Sequence, residues 1–277
     1  MLMVDISNYS GLLVEGVLDR WYDRGVRVIA VQAIDPPLGF PPRVDKEQCD
    51  EIVADGRFAL IIYGFHWTGT GLLKRNVQRI ADEGYPIYRY CGDFEDNLTD
   101  AAPFTRAQEI RDVMGWLDTL ASDMPPISYT GAWYADGYLP SGTNCMEGYD
   151  QWLSKYDHQE IINVSPVAGA TRIMAKQHWG TLTFEGQPNC DLSVLSLEEE
   201  QNVLDYLASR GQISPAPEPT PTPSEPPTQS DVKRETPEDW PWATWYEAAV
   251  NYKAIADALG QQIAQMKCTM QPKPTEV

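Results

Sequence analysis

Short apolar runs alternate with helical repeats through residue 131, and that alternation restricts the fold more than any other feature of the chain. Residues 2–6, 26–32, 58–63, 86–91 and 127–131 read as strands. Residues 58–63 (FALIIY) are apolar throughout, as a strand of a parallel sheet buried on both faces must be. Between the strands, apolar residues recur at helical spacing. Val14, Val17, Leu18, Trp21 and Tyr22 share one face, and Leu73, Val77, Ile80 and Ala81 another. Ile110, Val113, Met114, Leu117 and Leu120 make a third. Gly25 and Gly84 stand where the first two helices should end. Thr105 with Gln108, and Ser196 with Glu199, read as capping boxes opening helices, the second of which ends at Gly211. Residues 160–164, 172–177 and 191–195 read as three more strands, with no room for a helix between the first two. Strand–helix alternation implies parallel pairing and right-handed crossovers. Eight strands then predict an α/β fold, a TIM-like barrel with an irregular second half. A doubly wound open sheet is the alternative.

In such a barrel the working site lies at the C-terminal ends of the strands. Strand one ends near Asp5, strand four runs into Asp93-Phe94-Glu95, and strand eight opens at Asp191. Asp93 and Glu95 are two apart, so strand periodicity points both to one face and turns Phe94 into packing. Two acids on one face repel, and one of them holds its proton to higher pH. Acid-assisted cleavage of a glycoside needs this: one carboxylic acid to protonate the leaving oxygen and one carboxylate to face an oxocarbenium ion. A surface acidic loop or a magnesium or calcium site are the competing readings of the triplet. Aromatic and amide groups also gather at strand ends: Tyr63, Phe65, His66 and Trp67; Tyr129, Trp133 and Tyr134; Gln177, His178 and Trp179. Aromatic platforms with polar tips suit sugar rings.

The rest of the composition narrows the partners. A formal net charge of −19 argues against nucleic acid as a ligand. No run reaches the roughly 18–20 apolar residues of a membrane span. Met1-Leu2-Met3-Val4 leads directly into Asp5-Ile6, which does not read as a signal peptide. The chain is therefore expected to be made in the cytoplasm and to leave by another route. Cys49, Cys91, Cys145, Cys190 and Cys268 match no zinc spacing and read as reduced thiols. Neither a metal nor a cofactor is expected. Residues 214–230 (SPAPEPTPTPSEPPTQS) have the Pro spacing of an extended, semi-rigid spacer. The chain thus divides into a barrel domain (1–212), a Pro-rich linker (213–235) and a C-terminal helix (236–277). In that helix Trp245, Ala249, Tyr252, Ala256, Leu259, Ile263 and Met266 form a heptad seam. A helix this short needs a partner. Self-association, or attachment to a larger assembly such as a virion, is expected, with docking onto the barrel as the alternative.

Several segments, in order, resemble glycoside hydrolase family 25, the Chalaropsis-type lysozymes. They are Asp5-Ile6-Ser7-Asn8-Tyr9-Ser10-Gly11, Tyr63-Gly64-Phe65-His66, Asp93-Phe94-Glu95, Ser128-Tyr129-Thr130-Gly131 with Trp133-Tyr134, Gln177-His178-Trp179 and Cys190-Asp191-Leu192-Ser193. The resemblance spans residues 1 to 210. It departs from the family at the end of strand two, in the four-proline stretch 35–44, and at His178. It implies five βα units followed by three strands. It also implies an N-acetylmuramidase that cuts the β-1,4 bond between N-acetylmuramic acid and N-acetylglucosamine of peptidoglycan, at the bacterial cell wall. On this resemblance Glu95 is the general acid and Asp93 stabilises the transition state. Asp5 and Asp191 line the cleft, and Tyr63 and Tyr129 contact substrate. With the aromatic clusters, the expected substrate-binding set is Tyr63, Phe65, Trp67, Tyr129, Trp133, Gln177 and Trp179. A muramidase with a stalk fits a phage lysin or a virion-associated lysozyme. A non-catalytic structural or glycan-binding virion protein that retains the barrel, and a hydrolase of another polysaccharide, are the competing functions.

Overall fold

The computed structural model describes residues 1–34, 44–66, 69–95, 103–131, 139 and 143–211. The expected linker and C-terminal helix, Cys268, Trp67 and Trp133 lie outside the described residues.

Eight strands close into a barrel in chain order. They are β1 (Leu2–Ile6), β2 (Val26–Gln32), β3 (Ala59–Phe65), β4 (Ile87–Asp93), β5 (Ile127–Gly131), β6 (Asp150–Ser154), β7 (Ile173–Phe184) and β8 (Gln187–Leu195). Pairing is parallel from β1 through β7, and β8 runs antiparallel to both of its neighbours. Helices α1 (Val17–Asp23), α2 (Val44–Asp55), α3 (Thr70–Ala81) and α4 (Pro103–Leu117) follow β1 to β4, and α5 (Leu197–Ser209) follows β8. The alternation of side chains along each strand creates two apolar layers. Outward residues such as Val4, Ile29, Leu60 and Ile62 meet Trp21, Ile52, Leu73, Val77, Val113 and Leu117 of the helices. Inward residues such as Met3, Val28, Ala30, Ile61 and Cys91 fill the barrel itself. Cys49, Cys91, Cys145 and Cys190 are buried free thiols. Among the described residues no helix is long and apolar enough to cross a membrane.

Three local expectations need correction. Strand six is not 160–164, a surface stretch in which Ile161 is exposed, but Asp150–Ser154. The buried residues of that strand include the polar Gln151 and Ser154, which weaken its apolar pattern. The first helix excludes Val14 and starts after Gly16, whose positive φ turns the chain into it. Helix α4 begins at Pro103, so Thr105 lies within it rather than capping it. Proline tolerates the first helical position because that N–H has no partner within the helix. Helix α2 gave no clear periodic signal because two of its buried residues are polar. Gln48 donates to the carbonyls of Gly11 (2.7 Å) and Ser7 (3.2 Å), and Asp45 pairs with Arg79 of α3.

The other expected cap holds in half. The Ser196 hydroxyl accepts the Glu199 N–H at 3.3 Å, but the Glu199 carboxylate does not return the bond. It is fully buried against Tyr88, Arg89 and Arg172, with partners at 2.7–3.0 Å. This ionic cluster, with Val203, Tyr206 and Leu207, ties α5 to the barrel. β7 and β8 are longer than the expected 172–177 and 191–195, and form a hairpin turning at Glu185-Gly186. The hairpin is held against the β1–α1 connection. The Trp21 ring stacks on Phe184, and Gln187 donates to the Ser10 carbonyl at 2.6 Å.

Candidate active site

The barrel opens at the C-terminal ends of its parallel strands into a cavity of about 140 Å³. Asp5, Asp93, Glu95 and Asp191 line it, with Gln32, Tyr63, Phe65, Tyr129, Trp152 and Tyr156. Asp5 is the next-to-last residue of β1, and in the antiparallel β1–β8 ladder its direct cross-strand partner is Asp191. Like charges opposed across a ladder destabilise a sheet, so the pairing serves something other than stability. Asp93 ends β4, between Phe65 of β3 and Tyr129 of β5. Glu95 lies two residues on. Phe94 between them is buried in the outer layer, its N–H bonded to the Tyr129 carbonyl (2.9 Å) and its carbonyl to the Thr130 hydroxyl (2.9 Å). Those two bonds fix the chain beyond the strand and keep Glu95 on the cavity side.

The acids differ in their donors. Burial raises all four above the ordinary carboxylate range. Asp93 rises well above it, with the charges of Glu95, Asp5 and Asp191 adding to burial. Its Oδ1 is buried without a partner, as is Asp5 Oδ2. Asp5 rises for the same reasons, partly offset by the Tyr63 hydroxyl. Burial brings Glu95 to about 7 against the pull of hydrogen bonds from Ser154 and Tyr129, with Asp191 adding a further rise. Ser154 Oγ donates to Glu95 Oε1 at 3.0 Å. Asp191 reaches only about 6, because the Thr181 N–H and the Gln177 amide (2.7 Å) donate to it. Asp191 is thus the member best supplied to carry negative charge, and Glu95 holds its proton close to neutrality. Among the described residues no group of three or more His, Cys, Asp and Glu side chains is disposed to hold a metal ion.

Three of the expected substrate contacts, Tyr63, Phe65 and Tyr129, line the cavity. Gln177 stands behind the wall, linking the Tyr129 hydroxyl to Asp191. Trp179 is away from the cavity, its ring against His158 with centroids 3.9 Å apart. Sequence reasoning missed Gln32 and the whole contribution of β6 and the residues just after it. Trp152, Ser154 and Tyr156 are spaced by two, and all three reach the site. Trp152 packs under Tyr63 and Tyr129 as the cavity floor. Tyr156 stands at the mouth and is 40% exposed. The signal in the sequence is the period-two Trp-x-Ser-x-Tyr of residues 152–156, which lies outside the expected strand 160–164.

No protein-family model and no curated protein sequence matches the chain. Solved structures do match in fold. A family 25 glycosyl hydrolase from Bacillus anthracis superposes with a TM-score of 0.53 at 13% identity, covering 73% of this chain and 92% of that one. The fold is that of a family 25 glycosyl hydrolase. A muramidase from Acremonium alcalophilum shares it (TM-score 0.56, 14% identity, 75% of this chain and 99% of that one). So does the CTP1L endolysin (TM-score 0.52, 16% identity, 73% and 68%).

Proposed function

We propose that the chain is a lysozyme-like glycosidase that cleaves the β-1,4 bond between N-acetylmuramic acid and N-acetylglucosamine in peptidoglycan. The observation that carries this reading is the buried group of four carboxylates at the mouth of a barrel with the family 25 fold, where burial raises one of them, Glu95, to about 7. Glu95 is the general acid: near neutrality it still has a proton to deliver to the leaving glycosidic oxygen. Asp93 Oδ1, buried without a partner, is the acceptor for the substrate's acetamido N–H or for the positive charge that develops at the anomeric carbon. Asp5 and Asp191 keep the proton on this cluster by repulsion. Tyr63, Phe65, Tyr129 and Tyr156 offer ring faces to the sugar.

Glycan strands of the bacterial wall are then the partner, and the wall is the place of action. The fold shared with an endolysin favours a phage lysin or a virion-associated enzyme. The Pro-rich segment would carry the barrel on a stalk, and the heptad seam of 236–277 would hold it to a second copy or a larger assembly. The test is a digest of defined peptidoglycan followed by mass spectrometry. The wild type should release disaccharide-peptides with N-acetylmuramic acid at the reducing end, with activity falling as pH rises through about 7. Glu95→Gln should lose at least about a hundredfold in rate while keeping its fold. Binding without new reducing ends would mean a glycan-binding protein, and products of another linkage would mean a different polysaccharide.

A further inference from the structure

β6 and the chain just beyond it send Trp152, Ser154 and Tyr156 to the cavity, and Ser154 does not act as lining. Ser154 is almost wholly buried, and its hydroxyl reaches past β5 to a carboxylate 59 residues earlier in the chain. A buried serine on a barrel strand more often bonds to the backbone nearby, as Ser128 does toward the Asp150 carbonyl. Ser154 instead donates to Glu95 Oε1 at 3.0 Å. Glu95 itself sits past the end of β4, on a segment whose backbone is tied to β5 by Phe94 and Thr130. Its backbone is thus fixed from one side and one carboxylate oxygen from the other.

We propose that Ser154 is the positioning residue of the general acid: by holding Oε1 it fixes the carboxyl rotation and leaves Oε2 as the oxygen that carries the proton to the glycosidic oxygen. This rests on reading Glu95 as the acid of a glycosidase. The hydroxyl has a second effect. As a donor it favours the ionised carboxylate, and so opposes the rise that burial imposes on Glu95. Without it the acid would be held more firmly protonated and less well aimed. Ser154 touches no reacting atom in this scheme, and it acts only through Glu95.

The experiment compares wild type, Ser154→Ala and Ser154→Thr in the full chain. The Glu95 carboxyl carbon is titrated by NMR without substrate, and pH–rate profiles are recorded on peptidoglycan. In Ser154→Ala, the Glu95 titration and the alkaline limb of kcat should both move up by about one pH unit. kcat at its optimum should fall about tenfold with KM within twofold of wild type. Ser154→Thr keeps a hydroxyl and should restore both the titration and the rate. An unchanged titration and alkaline limb in Ser154→Ala, with its melting temperature unaltered, would overturn the proposal. So would a Thr variant that folds and titrates like Ala. The NMR titration needs no turnover, which separates the two readings. An inert wild type whose Glu95 still shifts on loss of the hydroxyl would sink the glycosidase reading and leave the restraint on Glu95 standing.

Discussion

At the scale of single residues, the cavity concentrates groups that weaken the fold they sit in. An acid whose folded value is raised takes up protons that the unfolded chain has released. Its contribution to stability is complete below its ordinary value and is lost as pH climbs through the folded one. For Glu95 that window runs from about 4.5 to about 7, and Asp93, raised by burial and the neighbouring acids, contributes with the same sign. The barrel should therefore lose stability between mildly acidic and neutral pH through these groups. Asp93→Asn removes the buried charge and its repulsion. It is expected to melt higher than wild type at pH 8, by about 2 kcal/mol or roughly 4–8 °C, and to show no gain at pH 4. Scanning calorimetry across that range checks it, and equal melting curves at pH 8 would contradict it. The same variant should be severely impaired on peptidoglycan, the usual exchange of stability for function at a site.

Secondary-structure elements divide the labour between the two ends of the barrel. The site end takes its acids from β1, β4 and β8, and the opposite end is secured by α5. There Glu199 is ionised against the tendency of its own burial, because Arg89, Tyr88, Arg172 and Asn202 outweigh it. Its value is lowered, so this element's stability is present above the ordinary carboxylate range and fades as pH falls, opposite in sign to the cavity acids. Glu199→Gln leaves the Arg89 guanidinium, itself buried, without its bidentate partner. A loss of about 3–5 kcal/mol is expected, read as a lower urea midpoint at pH 7. An unchanged midpoint would show that Asp150, 3.4 Å from Arg89, suffices as its counter-ion. The β7–β8 hairpin is the other working element. Gly180 lets its backbone pass the Tyr156 ring, where a Cβ would lie 3.1 Å from the ring edge. The neighbouring Thr181 N–H then reaches Asp191.

For the whole molecule, the layout of a barrel, a Pro-rich segment and a heptad seam predicts attachment through the seam. Deleting residues 236–277 should lower the mass in solution by light scattering to that of one barrel, with cleavage of soluble peptidoglycan fragments unchanged. The same mass before and after deletion would remove association through that segment. Much of the architecture was legible in the order of residues. Strands β1 to β5, helices α1, α3 and α4 and the opening of α5 announce themselves by apolar periodicity. Gly25, Gly84 and Gly211 mark helix ends, and all three adopt positive φ. Period two was enough to put Asp93 and Glu95 on one face and Phe94 on the other. These features depend on neighbours within about seven residues, and local burial patterns encode them. Tertiary structure alone decided the rest. It chose 150–154 over 160–164 as β6, and let polar Asp45 and Gln48 face inward on α2 because distant groups pair with them. It reversed β8, so that Asp191 came to lie opposite Asp5, and it brought Ser154 to Glu95. Asp45, Gln48 and Ser154 are buried polar groups held by partners far away in the chain, and the Asp5–Asp191 pairing is set by strand direction; no local pattern records either.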